Sequence, residues 1–194
     1  MAKEQKPFYF KPWFWIIVIA VILVFWLWGS YNNFVTLNQN VENQWANVQT
    51  QYQRRIDLIP NLVNTAKEYM QFEKSLLEDI TSLRSQWMSA TSVEDQVNVG
   101  NQLDSALGRL IAVYENYPVL KSDTVVSGLM DELSGTENRI SVERSRYNEM
   151  VKNYNTAIKL FPSNILANAF GFKERVYFQA QPGSEIVPTV NITA

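Results

Sequence analysis

The sequence predicts an all-α protein: an N-terminal transmembrane helix continuing into an antiparallel up-down four-helix bundle, then a short C-terminal helix and an extended tail. Three observations carry this. Residues 13–28, "WFWIIVIAVILVFWLW", are sixteen apolar residues without a charge. Beyond them, apolar residues recur at intervals of three and four, the spacing of one helix face. Breakers interrupt that spacing at few places, so the helices are long and the loops short, which favours antiparallel neighbours.

Composition bounds the chemistry. A chain of 194 residues with net charge -2 has room for one domain with a core, plus an appendage. It contains no cysteine and no histidine. That excludes disulfides, Cys/His zinc sites, serine triads with a histidine base, and the Glu-x-x-His di-iron motif. A net charge this close to zero leaves no electrostatic footprint for nucleic acid.

The apolar run rises about 24 Å as a helix, against a hydrocarbon core of about 30 Å. Gly29, Ser30 and Tyr31 extend it, and residues 13–30 read as the anchor. Trp13, Trp15, Trp26 and Trp28 lie near its two ends, where an aromatic belt belongs. Ile16, Ile19, Leu23 and Phe25 supply lipid-facing bulk between them. A cleaved signal peptide is the rival, but it wants a shorter run and small residues at the cleavage site, which Trp26-Leu27-Trp28 does not offer. Lys3, Lys6 and Lys11 precede the run, and no Lys or Arg follows it until Arg54. The positive-inside rule therefore places segment 1–12 in the cytoplasm and the bulk of the chain outside it.

The bundle is assigned to 31–161. Its first helix carries Phe34, Leu37, Val41, Trp45, Val48, Tyr52, Ile56 and Ile59. Pro60 lacks a ladder donor and disfavours helix at Ile59, yet it suits a first helical turn. The motif Arg54, Arg55, Asp57, Pro60, Asn61 is read as a turn, with the first helix stopping near Asp57 and a second starting near Pro60. A kink inside one very long helix is the alternative; the turn makes the four helix lengths match better. The second helix carries Leu62, Ala66, Tyr69, Leu76, Ile80, Leu83 and Trp87. Thr91, three residues before Glu94, suggests a capping box opening the third helix, which ends before Pro118. The fourth starts after Ser122-Asp123 and is stopped by Pro162, with Gly128 and Gly135 inside it as close-packing points or tolerated breaks. Segment 162–180 reads as a short helix with an aromatic, partly extended stretch, and 181–194 as a loose tail.

No catalytic group, cofactor site or metal site is assigned. Arg54, Arg55 and Asp57 form a catalytic charge cluster on one reading. On the other, Asp57 serves the amides of the second helix while the arginines sit at the surface. Glu137, Asn138 and Arg139, with Asn148 and Asn155, read as a substrate site or as a polar layer fixing helix register. Counting along the antiparallel pair puts Glu42 in a layer with Arg139. Acidic pairs near Glu94 and Asp131 lack a liganding loop for a hard cation. Residues 31–53 hold one charge, Glu42, and eleven Asn or Gln. Amides bond across an interface without burying charge. Asn40, Asn43, Gln44, Asn47 and Gln51 are therefore candidates for self-association, the alternative being a solvated face. Ile165, Leu166, Phe170, Phe172, Tyr177 and Phe178 return towards the membrane, to rest on the bilayer interface or on the base of the bundle.

The motifs "RRIDLIPNLV", "TENRI", "RSRYN", "YNTAI" and "FPSN", in this order and spacing, resemble the LemA family of bacterial membrane-anchored proteins over about residues 31–180. The resemblance implies a helical bundle behind a membrane helix and no established enzymatic activity. Two positions depart from the family pattern: Gln179, where glutamate is usual, and Ile56, where histidine or tyrosine is common. The reading that follows is a non-enzymatic scaffold at the bacterial inner (cytoplasmic) membrane, with the bundle on the outer or periplasmic side. Its expected partners are the lipid bilayer, copies of itself and other membrane proteins. An accessory or sensor subunit that binds a peptide or envelope component is the alternative.

Overall fold

A computed structural model describes residues 12–67, 69–70 and 73–178. Regular structure among them is entirely helical: α1 Pro12–Ala66, α2 Lys74–Ser89, α3 Val93–Glu115, α4 Pro118–Ser122, α5 Thr124–Lys159 and α6 Ser163–Ala169. Lys3, Lys6 and Lys11, which orient the anchor, lie outside the described residues, as do Gln179 and the tail 181–194.

The predicted turn at Asp57–Pro60 does not occur. Helix α1 runs 55 residues with Pro60 in its interior. Proline removes one ladder bond and frees the carbonyl four residues back. That carbonyl, on Ile56, accepts from Arg84 Nε at 3.2 Å. The apolar stripe also passes through the proline without a break, since Ile56, Ile59, Leu62, Val63 and Ala66 are all buried. The chain leaves the helix later, where the amides of Tyr69 and Met70 both bond to Ala66 O and buried Met70 pins the connection. The predicted second helix is thus divided, about its first two turns, Pro60–Ala66, belonging to α1.

Other boundaries follow local chemistry. Ser92, not Thr91, caps α3: its Oγ accepts from the Asp95 amide at 3.0 Å and donates to the Asp95 carboxylate at 2.6 Å. Asp123 caps α5 by accepting from the amides of Val125 and Val126 at 2.9 and 3.2 Å, and these bonds hold its carboxyl below the usual range. The single-turn helix α4, opened by Pro118, was not foreseen.

The chain divides into two compact units, one formed by residues up to Asn43 with Glu149–Arg175, the other by Gln44–Asn148 with the residues from Val176 on. In the first, Phe34, Val41, Val151, Tyr154, Ile158 and Ala167 are buried. In the second, α2 packs on α3, and the core gathers Val48, Tyr52, Ile56, Ile80, Trp87, Leu103, Leu107, Leu133 and Ile140. Each such side chain stabilises the fold by about 1.5–3 kcal/mol when fully buried. Gly100 is the close approach in this unit, since a Cβ there would sit 2.8 Å from Tyr52 Oη and 3.0 Å from the Trp87 ring. Gly128 faces open space and Gly135 only the end of Arg139, so of the two readings the tolerated break fits and the close-packing point does not.

Candidate functional site

Two constellations use the polar residues of the sequence motifs. The first is buried. Arg55, 1% exposed, donates from Nε to Thr136 Oγ1 at 3.2 Å and from its two terminal nitrogens to Asp104 and Glu137 at 2.5 Å each. Asp104 also receives Arg144 and, at 3.3 Å, the Tyr52 hydroxyl. Arg144 lies between two rings, 5.3 Å from the Tyr52 centroid and 4.7 Å from that of Phe178. Burial pushes the Asp104 carboxyl up to about 7 against the pull of the Arg55 guanidinium. Burial also lowers Arg144, to about 10.

A buried acid that titrates near neutrality can mark a catalytic site. The oxygens of Asp104 are engaged by Arg55, Arg144 and Tyr52, and the residue is 8% exposed. Among the described residues no group of three His, Cys, Asp or Glu is placed to hold a metal ion. The cluster joins α1, α3 and α5, and its chemistry is that of a structural junction whose charges answer one another. Arg55 was read either as part of a catalytic charge cluster or as a surface residue; among the described residues it is the most buried charged side chain, because α3 and α5 supply its partners. Asp57, expected at the amides of a second helix, is exposed within α1 and accepts from Gln53 at 2.7 Å. Arg54 and Asn61 are exposed on the same helix.

The second constellation is a repeated clamp on extended backbone. In one unit, Asn155 donates to Arg175 O and accepts from Arg175 N, both at 2.9 Å, while the Tyr154 hydroxyl donates to Lys173 O at 3.0 Å. In the other, Asn148 donates to Phe178 O and accepts from Phe178 N, again at 2.9 Å, and Tyr147 donates to Val176 O at 3.1 Å. Each asparagine side-chain amide meets the main-chain N–H and C=O of one residue, as a residue of a neighbouring strand would. The Tyr-Asn pairs are seven residues apart, about 10.5 Å of helix. The residues they hold are three apart, about 10 Å of extended chain. The two periods agree, which is why one dipeptide serves both places.

The predicted polar layer is thereby redistributed. Glu137 joins Arg55, and Asn148 and Asn155 hold backbone. Asn138 and Arg139 are exposed. Glu42 does not share a layer with Arg139: it pairs with Arg175 at 2.8 Å, as does Asn38. On α5, Arg139 lies between Glu143, which meets Gln44, and Glu137, which meets Arg55. The count failed because it started from a helix end at Asp57 that does not exist.

Of the amide-rich residues, Gln44 is used within the chain, donating to the Glu143 carboxylate at 2.6 Å, and Asn47 donates to Gln44 at 3.2 Å. Asn40 and Asn43 are exposed, and Gln51 keeps a buried Oε1 without a hydrogen-bond partner. Of the aromatic segment, Phe178 is buried against Trp45 and Tyr147, and Phe172 packs on Tyr31 and Phe34. Ile165, Phe170 and Tyr177 are exposed, and Leu166 is half-buried. Along the apolar part of α1, Trp13, Trp15, Ile16, Ile19, Leu23, Phe25, Trp26 and Trp28 are all exposed. It is long and apolar enough to cross a membrane, and none of its apolar window is buried in the protein.

Comparison with known proteins adds the following. The LemA family model matches residues 44–192. The chain is 29% identical over 195 residues to magnetosome protein MamQ 2 of Paramagnetospirillum magneticum, covering 87% of this chain and 72% of that one. It is 27% identical over 195 residues to magnetosome protein MamQ of Magnetospirillum gryphiswaldense, with the same coverage of 87% and 72%. Protein LemA of Metamycoplasma hominis is 26% identical over 183 residues, 92% of this chain and 83% of its own.

Proposed function

Because this chain belongs to the LemA family, we propose that its task is the one its architecture serves best: a membrane-anchored, non-enzymatic scaffold that assembles with copies of itself. The observation that carries this is the continuity of α1. One helix of 55 residues begins as an unburied apolar segment and ends as part of a packed core. A cleaved leader would remove a helix from its own domain. A loose tether would let the domain tumble, whereas a helix carried through fixes its orientation to the bilayer.

On this reading the anchor sits in the bacterial inner membrane, with the N-terminus in the cytoplasm and a four-helix bundle on the outer or periplasmic side. The charge asymmetry across residues 3–54 supports that orientation. Exposed Asn40, Asn43 and Asn47 supply the self-association face, and the anchor concentrates the chains in a plane. The test is absolute mass by light scattering of the full-length protein in detergent. A defined multiple of 22.4 kDa that falls on replacing Asn40 and Asn47 by lysine is expected. A monomer throughout overturns self-assembly.

A second reading, an accessory subunit that binds a peptide, draws on a cleft of about 770 Å³ lined by Val63, Met70, Leu77, Lys67, Lys74 and Glu78. Its apolar floor and charged rim suit a short amphipathic segment. A monomer that retains a partner through this cleft would favour it.

A further inference from the structure

The end of α5 and the following turn expose four large apolar side chains close together in the chain. Leu160 is 59% exposed, Phe161 80%, Ile165 61% and Phe170 55%. They fall within eleven residues and surround α6. The place of this patch is fixed by ring contacts. Tyr31 meets Phe170 edge-on at 5.1 Å and Phe172 at 5.9 Å, and Phe34 meets Phe172 at 5.3 Å. Tyr31 lies three residues beyond Trp28, the last residue of the apolar run, a rise of about 4.5 Å. Phe170, at the C-terminal end of the patch, is therefore held beside the end of the apolar run of α1, with Leu160, Phe161 and Ile165 within ten residues of it in the chain.

The cleft between Val63, Met70 and Leu77 has a mixed apolar and charged lining, and nothing beside it fixes one occupant. Here one is named by position. Aromatic and aliphatic side chains at headgroup depth are favoured at the membrane interface, where apolar faces sink about 5–10 Å into the boundary. Lys159, in the last turn of α5, pairs with Glu174 at 2.7 Å, so one cation and one anion at the rim neutralise each other. Apart from the edge contact of Phe170 with Tyr31, these side chains stay largely exposed.

We propose that Leu160, Phe161, Ile165 and Phe170 form a second membrane contact, resting in the headgroup region of the same bilayer that α1 crosses. The occupant is the lipid surface, and the inference rests on the anchor reading of α1. Two contacts on one rigid unit fix the rotation of α1 about its axis as well as its depth, which a lone transmembrane helix leaves free. The patch thereby decides which face of residues 31–43 is turned towards a neighbouring chain.

The absence of native cysteine makes the test direct. Full-length Leu23→Cys, Phe161→Cys, Ile165→Cys and Met88→Cys are each labelled with an environment-sensitive fluorophore. They are reconstituted in phosphatidylcholine/phosphatidylglycerol vesicles bearing spin labels at headgroup or mid-acyl depth. Met88, 58% exposed on α2, reports chance collision. The expected result is quenching of Leu23 by the deep label, of Phe161 and Ile165 by the shallow label, and of Met88 by neither. Quenched Leu23 with Phe161 and Ile165 no more quenched than Met88 overturns the second contact and leaves the anchor standing. Unquenched Leu23 overturns the anchor, and the inference with it.

Discussion

Arg84 donates from Nε to the main-chain oxygen of Ile56 at 3.2 Å, and Ile56 is the residue whose carbonyl Pro60 strips of its helical donor. A side chain on α2 thus repairs the ladder of α1 where the proline breaks it. Hydrogen bonds from charged donors to otherwise unmet groups contribute about 1.5–3 kcal/mol. Arg84→Ala is expected to destabilise the domain by about that much in urea unfolding. Pro60→Ala returns an N–H to the ladder, so in that background the loss from Arg84→Ala shrinks. Equal losses in both backgrounds would show that Arg84 acts elsewhere.

Glycine makes a second contrast on neighbouring helices. Alanine is the better helix former by up to about 1 kcal/mol. At Gly128, where nothing lies within 4 Å of a new Cβ, Gly128→Ala should raise the melting temperature. At Gly100 the new methyl would meet Tyr52 Oη at 2.8 Å and the Trp87 ring at 3.0 Å, and those rings are stacked at 4.1 Å. Overpacking of this kind costs about 1–3 kcal/mol, so Gly100→Ala should lower it. Thermal unfolding of the two variants side by side checks the sign of each.

The helices were legible because periodicity is a local signal: Phe34 through Ile59 keeps one face without interruption, and all but Leu37 of the residues read from it are buried. The break was misplaced because Pro60 is also a local signal, and the residue that offsets it is 24 positions away. Nothing between Ala66 and Lys74 spells a turn by proline or glycine. The buried cluster was missed for the same reason. Arg55 reads as a surface residue until Asp104 and Glu137, from two other helices, are brought to it. The motifs themselves were a usable hint: Arg55 belongs to "RRIDLIPNLV", and Thr136 and Glu137 to "TENRI", which meet in space. The Tyr-Asn repeat was visible as two motifs seven residues apart, but not what it holds, since an extended segment carries no pattern announcing its partner.

Acid–base behaviour of the cluster follows from Asp104. Its folded-state value, about 7, lies above the ordinary 3.8. The folded chain therefore keeps a proton that the unfolded chain releases in that window, and stability falls as pH rises through it. The contribution is complete below 3.8 and lost above about 7. Asp104→Asn cannot ionise, so its unfolding free energy should stay flat over the same range while the parent declines. Urea unfolding of both at one pH inside the window and one above it provides the check. A parent that instead gains stability as pH rises would mean that Arg55 and Arg144 keep the carboxylate ionised despite burial.

Asn148 and Asn155 make the last prediction separable, because each holds a different peptide. Asn148 accepts from the Phe178 amide and Asn155 from the Arg175 amide, both at 2.9 Å. Removing either side chain leaves one amide and one carbonyl unmet, a loss of about 1–3 kcal/mol where they are buried. Asn148→Ala should speed hydrogen exchange at Phe178, and Asn155→Ala should speed it at Arg175. Neither should alter exchange in α2, which the clamps do not touch. Phe178 also roofs Arg144 at 4.7 Å and stacks on Trp45 at 5.7 Å, so apolar and cation–π contacts remain when its backbone is released. Exchange at Phe178 should therefore rise by less than at Arg175, whose remaining hold is its side-chain bonds to part-buried Asn38 and exposed Glu42. Equal acceleration of both amides by either substitution would mean that the segment is held as one piece rather than at two independent clamps.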